Sequence, residues 1–182
     1  VAASVLSWEL FTQSASAPVD GVAGHSVGEF AALAAAGVID AETALRLVGI
    51  RGRAMADAAS LADTGMSAVI GGDQAVVEER LASLDLTPAN FNGGGQIVAA
   101  GAAEALAALS AEPPTGTRVI PLSVAGAFHT HYMAPAVETL RSAVAAVTPS
   151  DPGLQLWTNR DGSLVNSGAE ALSLVVDQVA SP

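Results

Sequence analysis

The sequence predicts an α/β protein in which one folding unit is interrupted by an inserted βαββαβ segment. Three observations carry that reading. A short apolar run leads into the turn Gly24-His25-Ser26-Val27-Gly28 and on into an alanine-rich helix, which is strand, tight turn, helix. From Met66 the rhythm changes to strand, helix, two strands, helix, strand. The chain also has 182 residues of which 51% are apolar and 39 are alanine, enough for one domain with an insert and incompatible with disorder.

Residues 1–13 form a helical pattern whose opening, VAASVLSWELF, has no cap before it, so a fragment of a longer chain is expected. After the Ser/Ala/Pro stretch 13–18, residues 19–23 read as a buried strand and residues 29–36 as a helix rich in alanine. Asp40 is placed to cap a second helix from 41 to about 61, with Glu42 in its first turn and Leu45, Val48 and Met55 as apolar positions. The insert then reads as strand 67–70, a helix capped by Asp73 and running to 84, strands 88–92 and 96–100, helix 102–111 and strand 118–124. That order is the ferredoxin-like split motif. Gly93-Gly94-Gly95 joins two strands and opens no helix, so it is a turn and not a phosphate cradle. A helix from about 133 to 147 is stopped by Pro149; strand 154–158, turn 159–162 and helix 169–179 complete the chain. The expected division is a core of 1–65 and 126–182 around a subdomain of 66–125.

Charge and composition exclude several classes of function. Eighteen acids against seven bases give a net charge of −11, which argues against a nucleic-acid partner. All the bases are arginine, so lysine Schiff-base chemistry and a P-loop lysine are absent from these residues. The lack of cysteine removes thiol catalysis, disulfides and thiolate metal sites. The longest apolar run, 30–39, contains Gly37 and is too short to cross a bilayer, and no charged leader opens the chain. A cytoplasmic protein without metal or cofactor is expected.

The pattern Gly24-x-Ser26-x-Gly28 between strand and helix fits a nucleophile elbow, in which a strained turn lifts the serine oxygen above the sheet edge. Both glycines are expected to be required, because a Cβ at either would collide in the turn. The alternative is an ordinary glycine-rich turn with Ser26 as an N-cap. A serine needs a base, and His25, directly before it, should point away. His129 and His131 follow the loop Ala125-Gly126-Ala127-Phe128, and spacing alone does not choose between them. No acid announces itself as a third member, and the residues left after His129 do not suit an ordinary esterase, whose histidine lies near the C-terminus. Arg51 and Arg53, on the second helix, read either as a solvated face or as a clamp on a carboxylate.

Taken together, GHSVGEF (24–30), IRGRAM (50–55), NFNGGGQIVAAG (90–101) and GAFHTHYMAPA (126–136) resemble the malonyl-CoA:acyl carrier protein transacylases of fatty acid and polyketide synthesis. The resemblance runs in order through nearly the whole chain, and the alanine- and arginine-rich composition resembles high-GC actinobacterial members. It implies an α/β-hydrolase-like core with an inserted ferredoxin-like βαββαβ subdomain. It also implies that Ser26 is the acylated nucleophile, that His129 is its base and that Arg51 holds the malonyl carboxylate. In such proteins a backbone carbonyl near the C-terminal end of the domain, not an acid, orients the histidine. Phe128 before the histidine goes with malonyl, as a serine there would with methylmalonyl, and Val27 in place of a glutamine points the same way. The Val27 main-chain N–H is the expected oxyanion donor. A second donor, on an upstream Gly-Gln-Gly-Ser-Gln type loop, and a last core strand and helix have no counterpart in these residues. The implied substrates are malonyl-CoA and acyl carrier protein, with no cofactor and a monomeric enzyme. Alternatives are an acyltransferase domain of a modular polyketide synthase, a G-x-S-x-G hydrolase that loses the acyl group to water, and a noncatalytic module of the same fold.

Overall fold

Two sheets carry the chain, and the structure, a computed structural model, describes residues 1–14 and 17–182. Ala15 and Ser16, inside the expected linker 13–18, lie outside the described residues. In chain order the elements are α1 (Ala2–Ser14), β1 (Gly21–Ala23), α2 (Glu29–Ala35), α3 (Ala41–Ala59), β2 (Thr64–Gly71), α4 (Gln74–Ser83) and β3 (Thr87–Gly93). There follow β4 (Gln96–Ala102), α5 (Ala103–Ala111), β5 (Thr117–Pro121), α6 (Ala134–Val144), β6 (Gln155–Trp157), β7 (Leu164–Val165) and α7 (Gly168–Asp177). The chain is a mixed α/β protein that divides into two compact units, residues 1–53 with 138–178 and residues 54–137 with 179–182.

In the first unit β1 lies parallel to β6, with Gly21 opposite Gln155 and Ala23 opposite Trp157, and β7 adds antiparallel to β6. The sequence reading did not include β7, whose two residues are too few for any alternation to register. Helix α2 packs against β1 and α7 and buries Phe30, Ala32 and Leu33. It stops because Gly37 takes φ +75°, letting Gly37 N–H donate to Ala34 O at 3.1 Å and Val38 N–H to Leu33 O at 2.9 Å, which satisfies carbonyls the helix end would leave bare. Asp40 caps α3 as expected, accepting the Thr43 N–H at 2.7 Å. The buried positions along α3 are Ala44, Leu47, Arg51, Ala54, Met55, Ala58 and Ala59, a helical stripe that contains an arginine. Leu45, expected as an apolar position, is 42% exposed because it falls off that stripe.

The second unit holds the sheet β3-β4-β2-β5, every neighbouring pair antiparallel. Its faces separate by strand alternation. Val69, Ile97 and Ala99 meet Val77 and Leu81 of α4 and Leu106 and Leu109 of α5, while Met66, Val98 and Ala100 face the other way with Ala127. Asp73 caps α4 through the Ala75 and Val76 N–H groups, and Gly93, Gly94 and Gly95 all take positive φ in the β3–β4 turn. Strand β5 ends at Pro121 and not at 124: the Leu122 N–H still donates to Met66 O at 2.9 Å, and the chain then turns, with the Val124 N–H donating to Leu122 O at 3.0 Å.

Candidate active site

The parallel register of β1 and β6 brings two loops to one sheet edge. With Ala23 opposite Trp157, the residues that follow, Gly24 to Ser26 and Thr158 to Asn159, leave from the carboxyl ends of neighbouring strands, where ligands of open α/β sheets bind. The Ser26 N–H donates to Asn159 Oδ1 at 3.0 Å. Ser26 itself has φ 50°, a left-handed conformation that a side chain rarely adopts. A Cβ on Gly24 would sit 2.3 Å from the Gly28 carbonyl, so only glycine fits there. The expectation that both glycines are required fails for Gly28, which has an ordinary helical φ and nothing within 4 Å of the place its Cβ would occupy. Val27 is 39% exposed, and its N–H lies in the first turn of the 3₁₀ stretch Ser26–Gly28, where N–H groups have no intrahelical acceptor.

Arg51 reaches the serine from α3. Its Nη2 donates to Ser26 Oγ at 3.1 Å and to Gln178 Oε1 at 3.4 Å, and among the described residues its Nε has no partner. The two arginines are therefore separated by helical phase: Arg51 is 7% exposed and Arg53, two positions on, is in solvent. Burial lowers the Arg51 pKa, and the Glu29 charge opposes that shift. Glu29, the residue after Gly28, is itself buried, and its carboxyl is raised by desolvation against hydrogen bonds from Asn159, Gln178 and Thr158 and the Arg51 charge. Its Oε1 accepts the Asn159 N–H at 2.6 Å, and its Oε2 accepts from Gln178 Nε2. Glu29, Asn159 and Gln178 were not singled out from the sequence. An acid in a first helical turn reads as a partner of the helix dipole, and an Asn in a turn as turn chemistry. An acid directly after the second glycine of an elbow motif was the signal available in the sequence.

The other candidates belong to the second unit. His129 takes φ 60° and is 6% exposed. The loop before it is anchored at the start of β2: the Ala127 N–H donates to Thr64 Oγ1 at 3.1 Å, and a Cβ on Gly126 would lie 2.7 Å from that of Ala59. After it, Thr130 Oγ1 donates to Ala127 O at 2.6 Å and the Met133 N–H to Thr130 O at 2.9 Å, so the turn carrying His129 is held on both sides. Phe128 is half-buried against the cluster of Met66, Val98 and Ala100. His131 is exposed, its ring stacked on Tyr132 at 4.2 Å between centroids. Three non-glycine residues have positive φ among the described residues, Ser26, Asp85 and His129. Asp85 closes α4 in an ordinary helix-end turn, with Leu86 N–H on Leu81 O at 2.9 Å. The remaining two are the serine and the histidine of the motifs, and backbone strain of this kind concentrates at functional sites.

Residues 5–173 match the acyl transferase domain family. The chain belongs to that family. It is 51% identical over its whole length to the malonyl CoA-acyl carrier protein transacylase of Mycolicibacterium smegmatis, covering 63% of that protein. Among solved structures, MCAT from Mycobacterium tuberculosis superposes with a TM-score of 0.92 at 48% identity, over 98% of this chain and 59% of that one. A type II PKS acyl-carrier protein in complex with its malonyl-transacylase gives 0.90 at 31% identity, over 100% of this chain and 60% of the other. This acyl transferase chain thus spans about three fifths of the length of the relatives it matches. Among its described residues no helix is long and apolar enough to cross a membrane, and no group of three or more His, Asp or Glu is placed to hold a metal ion.

Proposed function

We propose that the protein transfers a malonyl group from malonyl-CoA to the phosphopantetheine thiol of acyl carrier protein through a malonyl-serine intermediate. The observation that carries this reading is a serine at a strained elbow with a buried arginine 3.1 Å from its oxygen. A malonyl group esterified to Ser26 would place its carboxylate carbon two carbon–carbon bonds from the acyl carbon, within reach of the guanidinium. Ser26, its proton taken by His129, attacks the thioester carbonyl, and the Val27 main-chain N–H contributes to holding the oxyanion. The CoA thiolate leaves, and His129 returns the proton. In the second half-reaction the carrier thiol attacks the malonyl ester and Ser26 is regenerated. The malonyl thioester of CoA is already activated and its acyl group passes through the serine ester to another thiol, so the chemistry needs no cofactor. Intact-mass measurement of the full-length protein mixed with malonyl-CoA tests the reading: a malonyl adduct mapped to the Ser26 peptide is expected. Release of free malonate at the rate of transfer, without carrier protein, would instead make it a hydrolase.

We read the fold as an α/β-hydrolase-like core interrupted at 66–125 by a ferredoxin-like subdomain. The strand–elbow–helix of the first unit and the βαββαβ order with sheet β3-β4-β2-β5 support it.

Arg51→Ala is expected to cut malonyl transfer strongly while leaving acetyl transfer equal or improved. The guanidinium is desolvated, and leaving a buried charge unpaired beside a monoacid is penalised by several kcal/mol, whereas the diacid pairs with it. Competitive transfer from mixed malonyl- and acetyl-CoA, with products weighed on the carrier protein, checks this. Equal proportional losses would reduce Arg51 to a support for the fold and move the carboxylate clamp elsewhere. Phe128→Ser is expected to raise methylmalonyl use relative to malonyl by about 1 to 3 kcal/mol, the discrimination available from one methyl group in a pocket. An unchanged ratio would leave Phe128 as packing for the Met66 cluster.

A further inference from the structure

Five residues of the first unit close a ring of hydrogen bonds around the elbow. The Ser26 N–H donates to Asn159 Oδ1 at 3.0 Å, and the Asn159 N–H to Glu29 Oε1 at 2.6 Å. Gln178 Nε2 donates to Glu29 Oε2, Arg51 Nη2 donates to Gln178 Oε1 at 3.4 Å, and the same Nη2 returns to Ser26 Oγ at 3.1 Å. Both arms therefore end on one carboxylate. Glu29 is 5% exposed, so it is not an acid left at a helix start merely to complement the dipole in water.

The chemistry of the members fixes the direction of the ring. An ionised glutamate only accepts and an arginine only donates, while the amide between them has one face of each kind. Gln178 can thus bridge Glu29 and Arg51 in one orientation alone, NH₂ toward the acid and C=O toward the guanidinium. Reversing it would set donor against donor at Arg51 and acceptor against acceptor at Glu29. The charge of Glu29 also acts on Arg51, holding up the guanidinium pKa that burial pulls down.

We propose that Glu29 is a positioning residue for acyl-group selection, fixing the Arg51 guanidinium through the Gln178 amide and the Ser26 main chain through Asn159. Glu29 touches no reacting atom. The inference rests on the reading of Arg51 as the partner of the acyl carboxylate, and it predicts that selectivity depends on the polarity of the ring.

Glu29→Gln breaks that polarity. Its amide oxygen can still accept from Asn159, but its NH₂ then faces the NH₂ of Gln178, and turning Gln178 over moves the conflict to Arg51. The double variant Glu29→Gln with Gln178→Glu restores it, because a glutamate at 178 accepts from both neighbours and the buried negative charge is kept. In the full-length protein, competitive transfer from malonyl- and acetyl-CoA is measured together with a thermal melt. Glu29→Gln should lower the malonyl-to-acetyl ratio by about 10-fold or more, the scale of one lost hydrogen bond to a charged group. Acetyl transfer should change far less, and the double variant should recover most of the ratio. A general loss of packing would depress both acyl groups together and would not be recovered by a second change.

An unchanged ratio in Glu29→Gln overturns the proposal, as does proportional loss of both substrates without recovery in the double variant. If Glu29→Gln does not fold, the double variant decides alone: a ratio near that of the parent supports the relay, and a lost ratio refutes it. Failure of the parent protein to prefer malonyl would sink the functional reading above, a result distinct from a parent that prefers malonyl and a variant that prefers it equally.

Discussion

Ser26→Ala should leave the protein without any acyl adduct after mixing with malonyl-CoA, and transfer to carrier protein should fall by a factor on the order of 10⁴ or more. The size of the effect follows from the chemistry: a covalent relay has no substitute for its nucleophile, and what remains is binding and oxyanion stabilisation. The variant should also fold. At φ 50° an alanine is strained much as the serine is, because the strain arises from Cβ, which both possess. The Ser26 N–H keeps its Asn159 acceptor, since that bond is made by the main chain. What is lost is one acceptor for the buried Arg51 Nη2, a cost of about 1 to 3 kcal/mol that a thermal melt will register and a folded protein can bear. Intact-mass and peptide-mapping measurements on parent and variant check this. A variant that still carries a malonyl group would mean that the acylated residue is not Ser26, whatever the shape of the turn.

What the sequence made legible was local. The elbow, its strand and its helix lie within consecutive residues, so pattern and turn chemistry were enough to find them, and the Asp40 and Asp73 caps were readable for the same reason. The βαββαβ order could be read because each element is long enough to show its own period. The rest depended on register. Asn159 reaches Ser26 because β1 and β6 pair with Ala23 opposite Trp157, and no pattern in either segment encodes that alignment. Gln178 and Glu29 meet across 149 positions of sequence for the same kind of reason. For Arg51 and Arg53 a signal lies in the spacing of the apolar residues around them. The stripe Ala44, Leu47, Ala54, Met55 and Ala58 includes its position and excludes Arg53, so helical phase distinguishes the two arginines where residue type does not. Gly28 shows the opposite error: a motif glycine need not be a steric necessity at both of its positions.

His129→Ala should lower transfer by about 10²- to 10⁴-fold, the range general-base catalysis supplies, whereas His131→Ala should stay close to the parent. The two histidines are two residues apart and differ in every respect that bears on the role. His131 is exposed with its ring against Tyr132, where removal leaves a surface change of small effect. His129 is 6% exposed, has φ 60° and sits in a turn held by the Thr64–Ala127 and Thr130–Ala127 bonds, an ordering that fixes where an imidazole points. The left-handed backbone raises a second explanation for any loss, because an alanine there could let the turn relax and displace Phe128 with it. His129→Asn separates the two: asparagine tolerates the left-handed region better than most residues but supplies no base at neutral pH. Both His129 variants should therefore be slow to form the Ser26 adduct under single-turnover conditions, with melting temperatures near that of the parent for the asparagine. An asparagine variant that acylates as fast as the parent would reduce His129 to a backbone requirement, and equal losses in the His129 and His131 variants would leave the choice of base without support.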